Sequence, residues 1–187
     1  MIAADEEDAF FAQLAQTLQS WLGIETEIYL LYSLLMKGAN GHLVSLSFHH
    51  IQSFNSRMCL LDSCFDLIFY GEQKNKKGRS KTPLNQWKAL SKKAKKLSIT
   101  RNRIVHWPVH TGMKEGMPFI DISPSFFDAT AVIKKTAMNK DYQFDVLKLY
   151  RFSSDFKKLA DDLREFRNSE ASSIKDKIKS MPKTFKK

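Results

Sequence analysis

The stretch TPLNQWKALSKKAKKLSITRNRIVHWP, which runs from Thr82 to Pro108, carries the pattern that decides the fold. Its apolar residues recur every three or four positions, as they do on one face of a helix. They are Leu84, Trp87, Leu90, Ala94 and Leu97. Thr82 is favoured at an N-cap and Pro83 at the first helical position. Pro108 limits the other end, because the residue before a proline avoids the α region. The sequence therefore predicts one amphipathic helix over this stretch.

The next position in phase with the apolar stripe is Arg101. A guanidinium on the buried side of a helix is costly unless a partner or an anion receives it. Asn102 and His106 lie four residues apart, so a continuing helix stacks them on one flank. A purely structural interpretation stays open. In it Arg101 pairs with Glu25 or Asp155, and His106 caps the helix end, where a cation is favoured.

Arg101-Asn102 followed by His106 resembles the R-x4-6-H motif of the HEPN superfamily (higher eukaryotes and prokaryotes nucleotide-binding domains). The order of long helices over roughly residues 6–170 is also similar to that family. The resemblance implies a metal-independent endoribonuclease that acts as a homodimer without a cofactor, of the kind found in toxin–antitoxin or antiviral systems. An antitoxin protein would then be a further partner. Arg101 would hold the phosphate, His106 would transfer protons and Asn102 would position them. The alternative is a non-catalytic HEPN-like dimer that binds RNA or a protein.

The net charge of +10 is unevenly spread, since no acidic residue occurs between Gln73 and Lys114. Such a field attracts polyanions, with RNA or DNA as the usual candidates, and the family resemblance implies RNA. The alternatives are a face of lysines that is exposed to solvent, or a basic face that binds an acidic protein. The residues predicted to contact RNA are Lys76, Lys77, Lys92, Lys93, Lys95, Lys96 and Arg103.

The whole pattern predicts an all-α fold, an up-and-down bundle of four to five helices with a small irregular or β-hairpin insertion at about residues 108–140. The other long helices are predicted over residues 6–37, 42–70 and about 144–168. Lys114 to Gly116 is expected to turn a hairpin whose second strand is Met117 to Ile122. Residues 125–140 fit either a short helix or an extended segment. The aromatic stripe of residues 42–70 is assigned to a core shared with the first helix or with a second copy.

The chain is predicted to form a single helical domain over residues 1–170, with a basic, disordered tail over 171–187. No apolar run approaches the length of a membrane span. The acidic start lacks the basic residues of a secretory signal, so a cytoplasmic protein with no membrane partner is expected. No metal site is predicted, because no ligand constellation surrounds the histidines. Cys59 and Cys64 are five residues apart and fall on different helix faces, so no disulfide is expected.

Overall fold

A computed structural model of the protein describes residues 4–37, 39–69, 82–114, 116–124 and 143–180. The elements within these ranges are α1 (Ala4–Leu35), α2 (Gly41–His50), α3 (Phe54–Ile68), α4 (Pro83–His106), β1 (Val109–Lys114), β2 (Met117–Ile122) and α5 (Val146–Ser180). The all-α bundle with a small β-hairpin that the sequence predicts is thus confirmed. None of the described helices combines the length and the hydropathy that crossing a bilayer requires.

The chain divides into two compact units, each assembled from distant parts of the sequence. The first unit comprises Met1–Leu22 and Leu97–Lys157, and the second comprises Gly23–Lys96 and Lys158–Lys187. Helices α1, α4 and α5 each contribute residues to both units. The sequence predicts one domain over residues 1–170. It shows no linker between the two units, because the division falls within continuous helices.

The core of the first unit gathers side chains from α1, α4, β2 and the start of α5. Its buried members are Phe10, Ile104, Ile122, Phe144 and Leu149. Phe144 is tied to Ile122 by a pair of backbone hydrogen bonds with N···O distances of 2.9 and 3.1 Å. The Trp107 ring lies 5.7 Å from the Phe144 ring, centre to centre. Burying each large apolar side chain contributes about 1.5–3 kcal/mol, so this cluster anchors the C-terminal end of α4.

The core of the second unit is built around stacked aromatic rings from α3, α4 and α5. The Phe65 ring stacks on Trp87 at 4.4 Å and tilts against Phe166 at 5.8 Å. The Trp87 indole nitrogen donates a hydrogen bond of 2.8 Å to Asp62. The aromatic stripe of α2 joins the same chain's α1, because the Phe48 ring lies 5.3 Å from Tyr32. Phe48 therefore belongs to a core shared with α1 of the same chain, which is one of the two predicted alternatives.

The predicted limits of α4 and of the hairpin are confirmed. Thr82 Oγ1 accepts a hydrogen bond of 3.3 Å from the backbone N–H of Asn85, as an N-cap does. The helix ends at His106, two residues before Pro108. In the hairpin, Lys114 pairs with Met117 in an antiparallel register. Gly116 takes a φ of 80° in the turn, a conformation that glycine adopts without a steric penalty.

The single helix predicted over residues 42–70 is wrong, because two helices separated by residues 51–53 occupy that stretch. Ile51 and Ser53 are extended, with ψ angles of 103° and 129°. The Ser53 hydroxyl accepts a 3.3 Å hydrogen bond from the Ser56 N–H and so caps a new helix. Arg57 Nε donates a 2.8 Å bond to the Ile51 carbonyl, which the broken helix leaves without a helical partner. The apolar spacing runs unbroken through the gap and so conceals the break.

The predicted disordered tail is also wrong for residues 171–180, since α5 continues to Ser180. Ile174 is fully buried and continues the apolar side of the helix beyond Phe166. Polar composition indicates disorder, but one anchoring side chain in phase with the core prolongs the helix. Residues 181–187 lie outside the described ranges, as do residues 70–81 and 125–142, on which other predictions fall.

Candidate functional site

Arg101 lies on the core side of α4, as its phase predicts, and Trp21 and Asn102 are among the residues that it contacts there. Its guanidinium carbon lies 6.0 Å from the centre of the buried Trp21 ring, within range of a cation–π interaction. Its Nη1 donates a hydrogen bond of 3.2 Å to Asn102 Oδ1. The side chain is half-buried. An arginine held in this way presents a fixed donor group beside Asn102.

Asp155 and Glu25 are the two acidic residues predicted as partners of Arg101, and the structure excludes only Asp155. Asp155 is exposed and makes no ion pair with any described residue, so pairing with Asp155 is wrong. Glu25 lies 3.7 Å from the Arg57 guanidinium, and its pairing with Arg101 stays a prediction.

His106 is the last residue of α4, and its side chain is exposed. Within the described ranges it makes no hydrogen bond and no ion pair. The helix end itself is closed by the Trp107 N–H, which donates a 2.9 Å bond to the Arg103 carbonyl. The backbone of His106 is thus fixed at the helix end, and both ring nitrogens stay available to a ligand.

Arg101 and His106 do not lie side by side on one helix. Their positions are five apart along the chain, so at 3.6 residues per turn their directions differ by about 140°. Asn102 and His106 lie four positions apart and therefore share a flank. Helix α4 therefore offers a His–Asn flank on one side and, on the other, an arginine that is hydrogen-bonded to Asn102.

The lysines of α4 fall into two classes that the sequence alone does not distinguish. Lys93 Nζ lies 3.0 Å from Asp162, and Lys95 Nζ lies 2.7 Å from Asp62. The hydrogen bond that Lys95 donates to Asp62 is the main reason that the pKa of Lys95 is raised above its ordinary value. The acid-free window of the sequence is therefore partly neutralised in the folded chain by carboxylates from α3 and α5.

Lys92 and Lys96 form the other class. Both are exposed, and neither makes an ion pair with another described residue. Lys92 and Lys96 lie four residues apart in the second unit, and Arg103 and His106 lie three residues apart in the first, so the members of each pair share one side of α4. The Arg103 guanidinium lies 5.5 Å from the Trp107 ring centre. Of the predicted RNA contacts, Lys92 and Lys96 have no carboxylate partner among the described residues, whereas Lys76 and Lys77 lie outside the described ranges.

Sequence reasoning misses a buried carboxylate, Glu27, which is 3% exposed. Its two oxygens accept hydrogen bonds of 3.0 Å from Arg164 Nε and 2.9 Å from Arg167 Nε. The signal that could have found it is its phase, because it lies three residues after the buried Ile24. The apolar spacing of α1 instead places Glu25 as the polar residue within the predicted buried stripe. In the structure, however, Glu25 is less buried than Glu27.

The hairpin adds a histidine to which the sequence assigns no role. His110 lies opposite Asp121 in the strand register, and Asp121 is buried. His110 Nε2 is buried and has no hydrogen-bond partner within the described ranges. Nothing in the sequence spacing marks this juxtaposition, because it depends on the strand register. Among the described side chains, no group of three His, Cys, Asp or Glu residues is placed to hold a metal ion.

Comparison of the chain with protein-family models, with curated proteins and with solved structures found no match. The family resemblance therefore stays an expectation that rests on Arg101, Asn102 and His106.

Proposed function

We propose that the protein is a HEPN-type, metal-independent endoribonuclease that acts as a homodimer in the cytoplasm. The observation that carries the proposal is the arrangement at the end of α4. His106 is exposed beside Asn102, and Asn102 in turn accepts a 3.2 Å hydrogen bond from Arg101. These three residues supply a proton carrier, a positioning amide and a phosphate-binding cation.

The chemistry needs no group beyond these residues and the RNA. One histidine takes the proton from a 2′-hydroxyl, and that oxygen attacks the adjacent phosphorus. The bond from phosphorus to the 5′-oxygen breaks, and a second histidine donates a proton to the leaving oxygen. Imidazole is suited to both roles because it titrates near neutrality. Arginine donors stabilise the extra negative charge on the phosphorus oxygens in the transition state.

The need for two histidines is the reason for proposing a homodimer. Each protomer offers one His106, and its Arg101 points to a different side of α4. A two-fold axis near the end of α4 would bring both sets into one cleft. Apolar side chains suitable for such an interface surround the motif: Ile99 is 56% exposed, Val105 is 41% exposed and Val109 is 38% exposed. Lys92 and Lys96 would follow the RNA backbone.

A toxin of a toxin–antitoxin or antiviral system is the role in which this activity fits, with an antitoxin protein as the second partner. A second candidate function is a dimer that binds RNA or a protein without turnover. The contact of Arg101 with Trp21 at 6.0 Å favours it, since an arginine stacked on a core ring also has a structural use.

The decisive experiment compares His106→Ala with His50→Ala on a labelled single-stranded RNA in the presence of EDTA. His50 is a matched control, because it too is an exposed histidine at the last position of a helix. We expect the wild type and His50→Ala to release a 2′,3′-cyclic phosphate, His106→Ala to be inactive, and DNA to resist. Cleavage that persists in His106→Ala, or that requires a divalent metal, would contradict the mechanism. RNA binding by the wild type without cleavage would favour the non-catalytic dimer.

A further inference from the structure

The first three turns of α5 present one side to the core and the opposite side to solvent. Leu149 and Phe156 are fully buried, and Ser153 is 6% exposed. On the opposite side Leu147 is 69% exposed and Tyr150 is 61% exposed. The helix start is well formed, because Asp145 Oδ1 accepts a 2.8 Å hydrogen bond from the Lys148 N–H. The exposed tyrosine is therefore part of a rigid helix and not of a loop.

Tyr150 makes no hydrogen bond and no ring contact with any described residue. A large aromatic side chain gains most when its ring is covered, and tyrosine is enriched where proteins bind partners. With Leu147 one turn before it, Tyr150 leaves an apolar surface uncovered on a helix that is otherwise polar on this side.

Cations surround this apolar surface. Between Val146 and Lys157 the basic residues are Lys148, Arg151 and Lys157, and the one carboxylate is Asp155. Lys148 Nζ is engaged by the Gln143 carbonyl at 2.7 Å. Arg151 and Lys157 are exposed and make no ion pair with a described residue. The surface thus combines an aromatic ring with uncommitted positive charge.

We infer that Leu147, Tyr150, Arg151 and Lys157 form a platform for single-stranded RNA, on which a base stacks against Tyr150 while the two cations contact phosphates. Single strands expose both the base faces and the phosphates that such a surface recognises, whereas a duplex keeps its bases stacked. The inference rests on the proposed function for its ligand. The platform belongs to the same unit as His106, and Leu149 and Ile104 share one core cluster. It would therefore hold RNA on the unit that carries the proposed catalytic residues.

The test measures the affinity of the full chain for a 12-nucleotide, fluorescein-labelled, 2′-O-methyl RNA, which cannot be cleaved through its 2′-oxygen. We expect Tyr150→Ala to weaken binding roughly tenfold, since base–aromatic stacking has effects of about this size. Tyr150→Phe should restore most of the affinity, because the ring is retained. Leu46→Ala is the matched control, since Leu46 is 67% exposed in the other unit and should have no effect.

Unchanged affinity in Tyr150→Ala, or a wild type that binds no RNA, would overturn the inference. So would equal affinity for the same sequence as a duplex. A poly-glutamate peptide that binds as tightly as RNA, with the same sensitivity to Tyr150→Ala, would identify an acidic protein as the occupant and would also overturn it. Failure of the proposed function is distinguishable: loss of affinity in Tyr150→Ala with no cleavage of ordinary RNA by the wild type would leave the platform standing and remove the nuclease.

Discussion

Glu27 shows how a single side chain constrains this fold. Its side chain is 4% exposed, and its carboxylate is bound by two arginines that lie three residues apart on α5. Arg164 is 52% exposed and Arg167 is 26% exposed, so each arginine keeps part of its hydration while the carboxylate keeps almost none. The charge of Glu27 is therefore stabilised mainly by the two arginines, whereas water stabilises part of the charge of each arginine.

Removing both arginines should destabilise the protein far more than removing an exposed arginine does. The double variant Arg164→Ala, Arg167→Ala leaves a buried charge unpaired, and we expect a loss of about 3–5 kcal/mol in the free energy of unfolding. Chemical denaturation measures it. Arg151→Ala on the same helix is the control and should change stability by no more than about 0.5 kcal/mol. A loss below about 1 kcal/mol in the double variant would show that the carboxylate does not need these partners.

The break between α2 and α3 can be tested by substituting one residue, Ser53. Ser53 caps α3 through its hydroxyl, so Ser53→Ala should cost about 1 kcal/mol in the free energy of unfolding. Were residues 42–70 one continuous helix, the same change would stabilise the protein, because alanine is the better helix former. The sign of the change thus distinguishes the two structures. Ser56→Ala, in the first turn of α3, is the control and should have little effect.

The two classes of lysine on α4 should differ in their contribution to RNA binding. Lys92→Ala with Lys96→Ala should weaken RNA binding for all sequences and reduce the slope of log affinity against log salt by about two, since each free lysine neutralises one phosphate. Lys93→Ala with Lys95→Ala is the matched pair on the same helix. Its effect on the slope should be smaller, because these lysines already face Asp162 and Asp62. A slope equal to that of the wild type in Lys92→Ala with Lys96→Ala would return these two lysines to a merely solvated face, and equal reductions for both pairs would contradict the distinction between the two classes.

The complete molecule should be a homodimer if one cleft needs two copies of His106. Light scattering at tens of micromolar should give twice the chain mass of 21.6 kDa. Adding excess His106→Ala protein to the wild type should lower the wild type's activity as subunits exchange, because each mixed dimer has only one proton-transferring histidine. Excess His50→Ala, which is expected to be active itself, should raise the total activity and not lower it. A monomeric mass, or activity that is insensitive to the inactive subunit, would contradict the paired site.

Local rules of the backbone explain what could be predicted from the sequence. Thr82 and Pro83 begin a helix, Pro108 limits it and Gly116 turns a hairpin, and each of these effects depends on the residue and its immediate neighbours. Arg101 could be placed on the core side of α4 and His106 at its end for the same reason, since phase along one helix is set by spacing alone. The candidate site at the end of α4 is therefore a property of the sequence itself.

Contacts between distant segments decided the rest. The sequence shows no acid near Lys93 or Lys95, but folding brings Asp162 and Asp62 to them from 69 and 33 residues away. Likewise Glu27 is buried only because Arg164 and Arg167, 137 and 140 residues further on, reach its oxygens. Ser53 could end one helix and begin another because Arg57 satisfies the exposed Ile51 carbonyl. The physical reason is that a charge or polar group takes its free energy from whatever surrounds it in space, whereas a helix period depends only on neighbours along the chain.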